Sequence, residues 1–129
     1  MVEDRTTDGV RIAQLLSSEL DGREDPPLDS LVVVNANRDV EPSEDGTLAY
    51  EVEQNSGPNG KHVVSVFVHP DRIRMELTEG IESAEKTARE ADLLVRPKAV
   101  EPPRVLIFVE QGAHVKRAVD ALIAGLDAN

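Results

Sequence analysis

A chain of 129 residues is long enough for one domain and too short for two full ones, since domains run about 100–150 residues. It carries 14 Lys and Arg against 25 Asp and Glu, a net charge of −11 that repels nucleic-acid phosphates. Three aromatic residues (Tyr50, Phe67, Phe108) and no Trp leave no platform for stacking bases. The absence of Cys removes a disulfide framework, a thiolate zinc site and a Cys nucleophile.

Ten of the bases are Arg and only four are Lys (Lys61, Lys86, Lys98, Lys116), while the acids are spread along the whole chain. Large net charge strains a compact state by self-repulsion, and salt at 1 M removes that strain by shortening the Debye length to about 3 Å. The composition is therefore the one expected in a salt-rich cytoplasm. Residues 1–7 are polar and carry both signs, which reads as a flexible arm with no targeting segment. The longest wholly apolar stretch, residues 105–109, falls far short of the ~20 residues of a membrane helix. A cytoplasmic location and no membrane partner follow as expectations.

In chain order, Asp8 reads as an N-cap, and Ile12, Leu15, Leu16 and Leu20 follow at helical spacing until Asp21 and Gly22 end the run. Residues 23–27 form a charged connector closed by proline. Residues 31–34 are a solid apolar run of β-formers, read as a strand buried on both faces, and residues 35–46 are an acidic loop. Leu48, Tyr50 and Val52 alternate with Ala49, Glu51 and Glu53, and residues 55–60 carry turn chemistry. A strand over residues 62–68, a corner at His69, Pro70, Asp71 and Arg72, and a strand over residues 73–77 make a hairpin. With His69 facing Arg72, Val68 meets Ile73, Val66 meets Met75 and Val64 meets Leu77. All six are apolar, so a slip of one residue would turn every one of them outward. Pairing Val52 with Val64 and Tyr50 with Val66 adds the preceding strand. Thr78 or Glu79 opens a second helix with an inner stripe of Ile81, Ala84, Ala88, Ala91 and Val95. Residues 96–103 contain three prolines and read as an internal connector, residues 105–109 as a second fully apolar strand, and residues 113–126 as a helix with Val115, Ala118, Val119, Leu122, Ile123 and Leu126 on one face.

The stretches VSVFVHPDRIRMEL, VRPKAVEPPRVLIFVE and GAHVKRAVDAL resemble those of small acidic proteins of halophilic archaea that carry only a domain-of-unknown-function label. The resemblance implies a high-salt setting and no activity, so no residue roles are carried over.

Four constellations bear on chemistry. Residues 41–48, with oxygen donors at alternate positions and Gly46 sixth, echo a calcium loop, but the twelfth position is Val52 where such a loop needs a bidentate Glu. An acidic loop with an Asp-Gly turn is the reading. His62 and His69 lie an odd offset apart on a strand, which points them to opposite faces, and His114 sits in the first turn of the last helix; no shared metal is expected. No Gly-rich phosphate loop follows a strand, and none of the seven serines sits in a nucleophile elbow. The corner residues His69, Asp71 and Arg72, with Arg74, offer a candidate ligand-binding or acid–base cluster, against a solvated cross-strand lattice of ion pairs.

The outward hairpin face also keeps Val63 and Phe67, with Ala49 nearby, on what should be the wet side. Either the first helix or another subunit covers it. The expectation is an α+β two-layer sandwich of one domain, residues 1–129. It has a roughly five-stranded, mostly antiparallel sheet with helices on one face, in the order αββββαβα. The strands before and after the second helix are expected to run parallel through a right-handed crossover. No cofactor, metal or catalytic residue is assigned. Function is read as a non-enzymatic interaction or regulatory module that self-associates through its sheet, a homo-oligomer with Val63 and Phe67 at the interface and no nucleic-acid partner. A small ligand-binding protein or enzyme built on His69, Asp71, Arg72 and Arg74 is the alternative.

Overall fold

A computed structural model describes residues 8–21, 28–54, 60–99, 101 and 103–127. The arm at 1–7, the connector at 23–27 and the turn at 55–59 lie outside the described residues. The fold is α+β: three helices, α1 (Gly9–Asp21), α2 (Ile81–Glu90) and α3 (Val115–Asp127), and six strands, β1 (Leu31–Val34), β2 (Thr47–Gln54), β3 (Lys61–Val68), β4 (Ile73–Leu77), β5 (Leu94–Lys98) and β6 (Arg104–Val109). The sheet order is β1-β2-β3-β4-β6-β5, and every neighbouring pair is antiparallel.

Local chemistry accounts for most elements. The Asp8 carboxylate accepts the backbone N–H groups of Val10 and Arg11 at 2.9 and 3.4 Å, two donors that the first turn of α1 leaves free. Ile12, Leu16 and Leu20 then bury one helix stripe. The β3–β4 hairpin has the register expected from its apolar pairs, Val68 with Ile73, Val66 with Met75 and Val64 with Leu77, closed at the corner by His69 N–H donating to the Arg72 carbonyl at 2.8 Å. Gly9 packs against that corner so closely that a Cβ there would overlap the His69 carbonyl oxygen, which is why α1 begins on glycine.

Three expectations about the second half of the chain are corrected. Val95 belongs to β5, not to α2, because the helix ends five residues earlier, at Glu90. Asp92 adopts φ 63°, and the N–H groups of Asp92 and Leu93 donate back to the Arg89 and Ala88 carbonyls, a Schellman cap with Asp where glycine is usual. The start of the proline connector, residues 96–98, is the far half of β5. Its Pro97 is tolerated because β5 pairs on one side only, so a missing N–H breaks no second ladder. Finally, the strands flanking α2 that were expected to run parallel, residues 73–77 and 105–109, are adjacent and antiparallel. The parallel partner of β4 across α2 is β5, and β6 lies between them.

The core lies between one sheet face and the helices. Val52, Val64, Val66, Met75, Val105 and Ile107 from the sheet meet Ile12, Leu16, Ala84, Ala88, Ala118 and Leu122 from the helices. Helix α1 packs against α3 as well as against β1, β3 and β4, and the Tyr50 hydroxyl donates to the Ala13 carbonyl at 2.7 Å, so α1 shares the inner face with its fellows. No described helix lies on the outer face of the sheet. β1 is an edge strand, half-buried from Val32 to Val34, not the doubly covered strand expected from its composition.

Two irregularities between β2 and β3 decide what that outer face carries. The register passes from Leu48–Phe67 to Tyr50–Val66 and from Val52–Val64 to Glu53–His62, leaving Ala49 and Val63 as the extra residues of two β-bulges. A bulge lets two consecutive side chains share one face. Ala49 joins Tyr50, and Val63 joins Val64, in the core, with Val63 only 2% exposed. Strict alternation had placed Val63 and Ala49 outside.

Candidate functional site

The hairpin corner and the uncovered face form one connected polar structure. His69 follows the end of β3 and is the one buried polar residue among those described, at 7% exposure. Its Nδ1 lies 2.9 Å from the Glu44 carbonyl, which only accepts, so Nδ1 carries the proton and Nε2 accepts from Arg74 Nη1 at 3.3 Å. Both ring nitrogens are thereby engaged. Arg74 also donates through Nη1 to the Asp45 carbonyl at 3.0 Å and through Nε to Glu76 at 2.8 Å, while its guanidinium sits 4.4 Å from the centre of the Phe67 ring. Arg104 reaches the other Glu76 oxygen at 3.1 Å. Glu44 and Asp45 thus contribute carbonyl oxygens that anchor the acidic loop to the sheet, in a turn that Gly46 closes at φ 92°.

Of the four predicted site residues, His69 and Arg74 are in contact and Arg72 is close by. Arg72 lies 5.4 Å from the Phe108 ring, whose far neighbour is the His69 ring at 6.3 Å, and its charge faces Glu110 at 3.9 Å. Asp71 is 76% exposed and among the described residues faces only Arg72, at 3.8 Å, so it does not join the cluster. His62 was expected to face away from His69. The Val63 bulge adds one residue to the count, so both histidines lie on the outer side, His62 on Ser65 and Glu51 and His69 on Arg74. His114 stands in a short 3-10 turn (Gly112–His114) before α3. Among the described residues, no three His, Asp or Glu side chains converge as metal ligands.

The chain belongs to DUF7993, a family of unknown function. The family's profile matches residues 1–129, the whole chain. No curated protein and no solved structure shows significant similarity to it. The family assigns no activity, so the face must be read from its own residues. No helix among the described residues is long and apolar enough to cross a membrane.

The sequence did not reveal how the outer face is divided. Its β1–β2–β3 half carries Val32, Val34, Leu48, Glu51, Glu53, His62 and Phe67. Its β4–β6–β5 half carries Arg74, Glu76, Arg104, Leu106, Phe108, Leu94, Arg96 and Lys98. Leu48 and Leu94 are exposed, and Leu106 lies at the floor of a shallow hollow of about 340 Å³ walled by Arg74, Glu76, Lys98 and Arg104. Glu53, Arg96 and Lys98 have no charged partner among the described residues. The unpaired anion stands on one half and the two unpaired cations on the other. Lys98 and Arg96 escaped notice because their segment read as a connector, and Arg104 because the β4–β6 register is long-range.

Proposed function

We propose that the protein is a non-enzymatic interaction or regulatory module that pairs with a second copy of itself through the uncovered sheet face, working in concentrated salt. The observation that carries this reading is the opposite sign, on the two halves of that face, of the charges that have no charged partner among the described residues. Two sheets stack about 10 Å apart with their strands roughly aligned. A two-fold axis parallel to the strands, passing between β3 and β4, lays β1 and β2 of one copy over β5 and β6 of the other. Such an isologous contact sets Glu53 over Arg104, beside Lys98 on the adjoining strand, twice, and buries Leu48, Leu94, Val32 and Phe108 between the copies. Phe67 keeps its expected place on this face. Val63 does not, since it lies in the core. The alternative reading, a ligand or acid–base site at the corner, loses support because both His69 nitrogens are engaged and Asp71 is turned out. The acid-rich composition and the scarcity of Lys support the salt-rich setting.

Sedimentation and light scattering test the pairing at the lowest salt in which the protein stays folded. The expected result is a dimer that Lys98→Glu weakens by about tenfold or more, and that adding Glu53→Lys to the same chain restores. A monomer at high concentration, or a dimer indifferent to both Lys98→Glu and Leu94→Arg, overturns the reading.

A further inference from the structure

On the opposite side of the molecule from the open face, a groove of about 490 Å³ runs between α1 and the loop joining β1 to β2. Its volume is in the range of small-molecule sites, about 300–1,000 Å³. Ala13, Ala49 and Tyr50 make its floor, and the Ala49 bulge creates it: the bulge turns a one-carbon side chain inward beside Tyr50, where a longer residue would fill the space. Gln14 and Ser17, three residues apart along α1, give one polar wall.

The loop wall is preformed. Asn35 takes φ 54°, Asn37 N–H donates to the Ala49 carbonyl at 2.8 Å, and the Asn37 side-chain oxygen accepts the Asp39 N–H at 3.0 Å. That geometry holds Arg38 at the rim, with no ion-pair partner among the described residues. Although the chain has 25 acids in 129 residues, no Asp or Glu among the described residues lines the groove. Among the described residues its one charge is the Arg38 cation, so that lining runs against the sign of the whole molecule.

We infer that this groove binds a small monocarboxylic acid with an apolar body. The hydrocarbon part lies on Ala13, Ala49 and Tyr50, and the carboxylate pairs with Arg38 within reach of Ser17 and Asn37. A bidentate pair with a guanidinium that has no ion-pair partner among the described residues supplies selectivity, and the apolar floor supplies affinity. The inference is independent of the sheet-face pairing, since no groove residue lies on that face.

The chain provides its own reporter, because Tyr50 is its sole tyrosine and there is no Trp. Hexanoate, with 1-hexanol as the uncharged counterpart, is titrated against tyrosine emission and melting temperature. The expected result is a saturable response to hexanoate with a raised melting temperature. Arg38→Gln is expected to weaken hexanoate roughly tenfold while leaving hexanol unchanged. Ala36→Leu from the loop wall and Ser17→Leu from the helix wall are each expected to abolish both responses, circular dichroism showing that the fold persists. Ala36 is exposed, so at least that variant is expected to fold. No saturable response to hexanoate, binding untouched by Arg38→Gln, or binding untouched by the wall-filling variants overturns the inference.

Discussion

The bulge at Val63 makes a quantitative difference between two readings of one strand. Strict alternation exposes Val63 and buries Val64, whereas the bulged register buries both, each at 2% exposure or less. Truncating Val63 to Ala deletes two methyl groups from the core. Their transfer is worth about 0.8 kcal/mol each. The space left behind adds about 1 kcal/mol at roughly 24 cal/mol per Å³ of unrelaxed cavity. The expected destabilisation is therefore about 2–3 kcal/mol, similar for Val64→Ala. Val63→Thr keeps the shape but buries a hydroxyl without a designated partner, a loss of about 1–3 kcal/mol. The same changes on a wet sheet face would stay within about 0.5 kcal/mol. Urea unfolding followed by far-ultraviolet circular dichroism, at fixed high salt, measures all three. A value below about 0.5 kcal/mol for both Val63 variants, beside a full loss for Val64→Ala, would refute the bulge and return Val63 to the outer face.

Alkaline stability follows from Tyr50. Burial pushes its phenol well above the ordinary tyrosine value, and a backbone hydrogen bond from Ser17 offsets only part of that shift. The unfolded chain releases the phenol proton near pH 10 and the folded chain retains it, so the stability tied to this proton is intact below about pH 10 and is lost as pH rises beyond it. Because Tyr50 is the only tyrosine, phenolate absorbance is expected to appear together with unfolding; ionisation in the folded state near the ordinary value would contradict its burial. Salt tests the charge: with −11 on the chain, melting temperature is expected to climb as potassium chloride is raised toward about 1 M, and a flat profile would remove the salt-adaptation reading.

What the sequence alone determined is local or strictly periodic. Asp8 is legible as a cap because its carboxylate serves N–H groups two and three residues away. The β3–β4 register is legible because one set of three apolar pairs closes over a four-residue corner, and any other offset exposes them. The apolar stripe of α3 and the small residues Ala84 and Ala88 on α2 are set by the helical period. The acidity and the lack of Cys are composition, complete before folding.

The tertiary structure decided the rest, for reasons no window of neighbours contains. A bulge costs a strand its alternation only in relation to its partner, so the inward turn of Ala49 and Val63 has no signature in either strand by itself. Asp92 ends α2 without the glycine that advertises such a cap, and Pro97 is admitted to β5 only because the edge asks for no second ladder. The insertion of β6 between β4 and β5, which gathers Arg74, Arg104 and Lys98 on one half of a face, brings Arg74 to residues 24 and 30 positions away. Most consequential is the side chosen by α1. Its apolar stripe would bury equally well on either side of an apolar sheet, and contact with α3 and the Tyr50 bond to Ala13 settle it on the inner one. That choice leaves the charged outer face open and shapes the groove behind it.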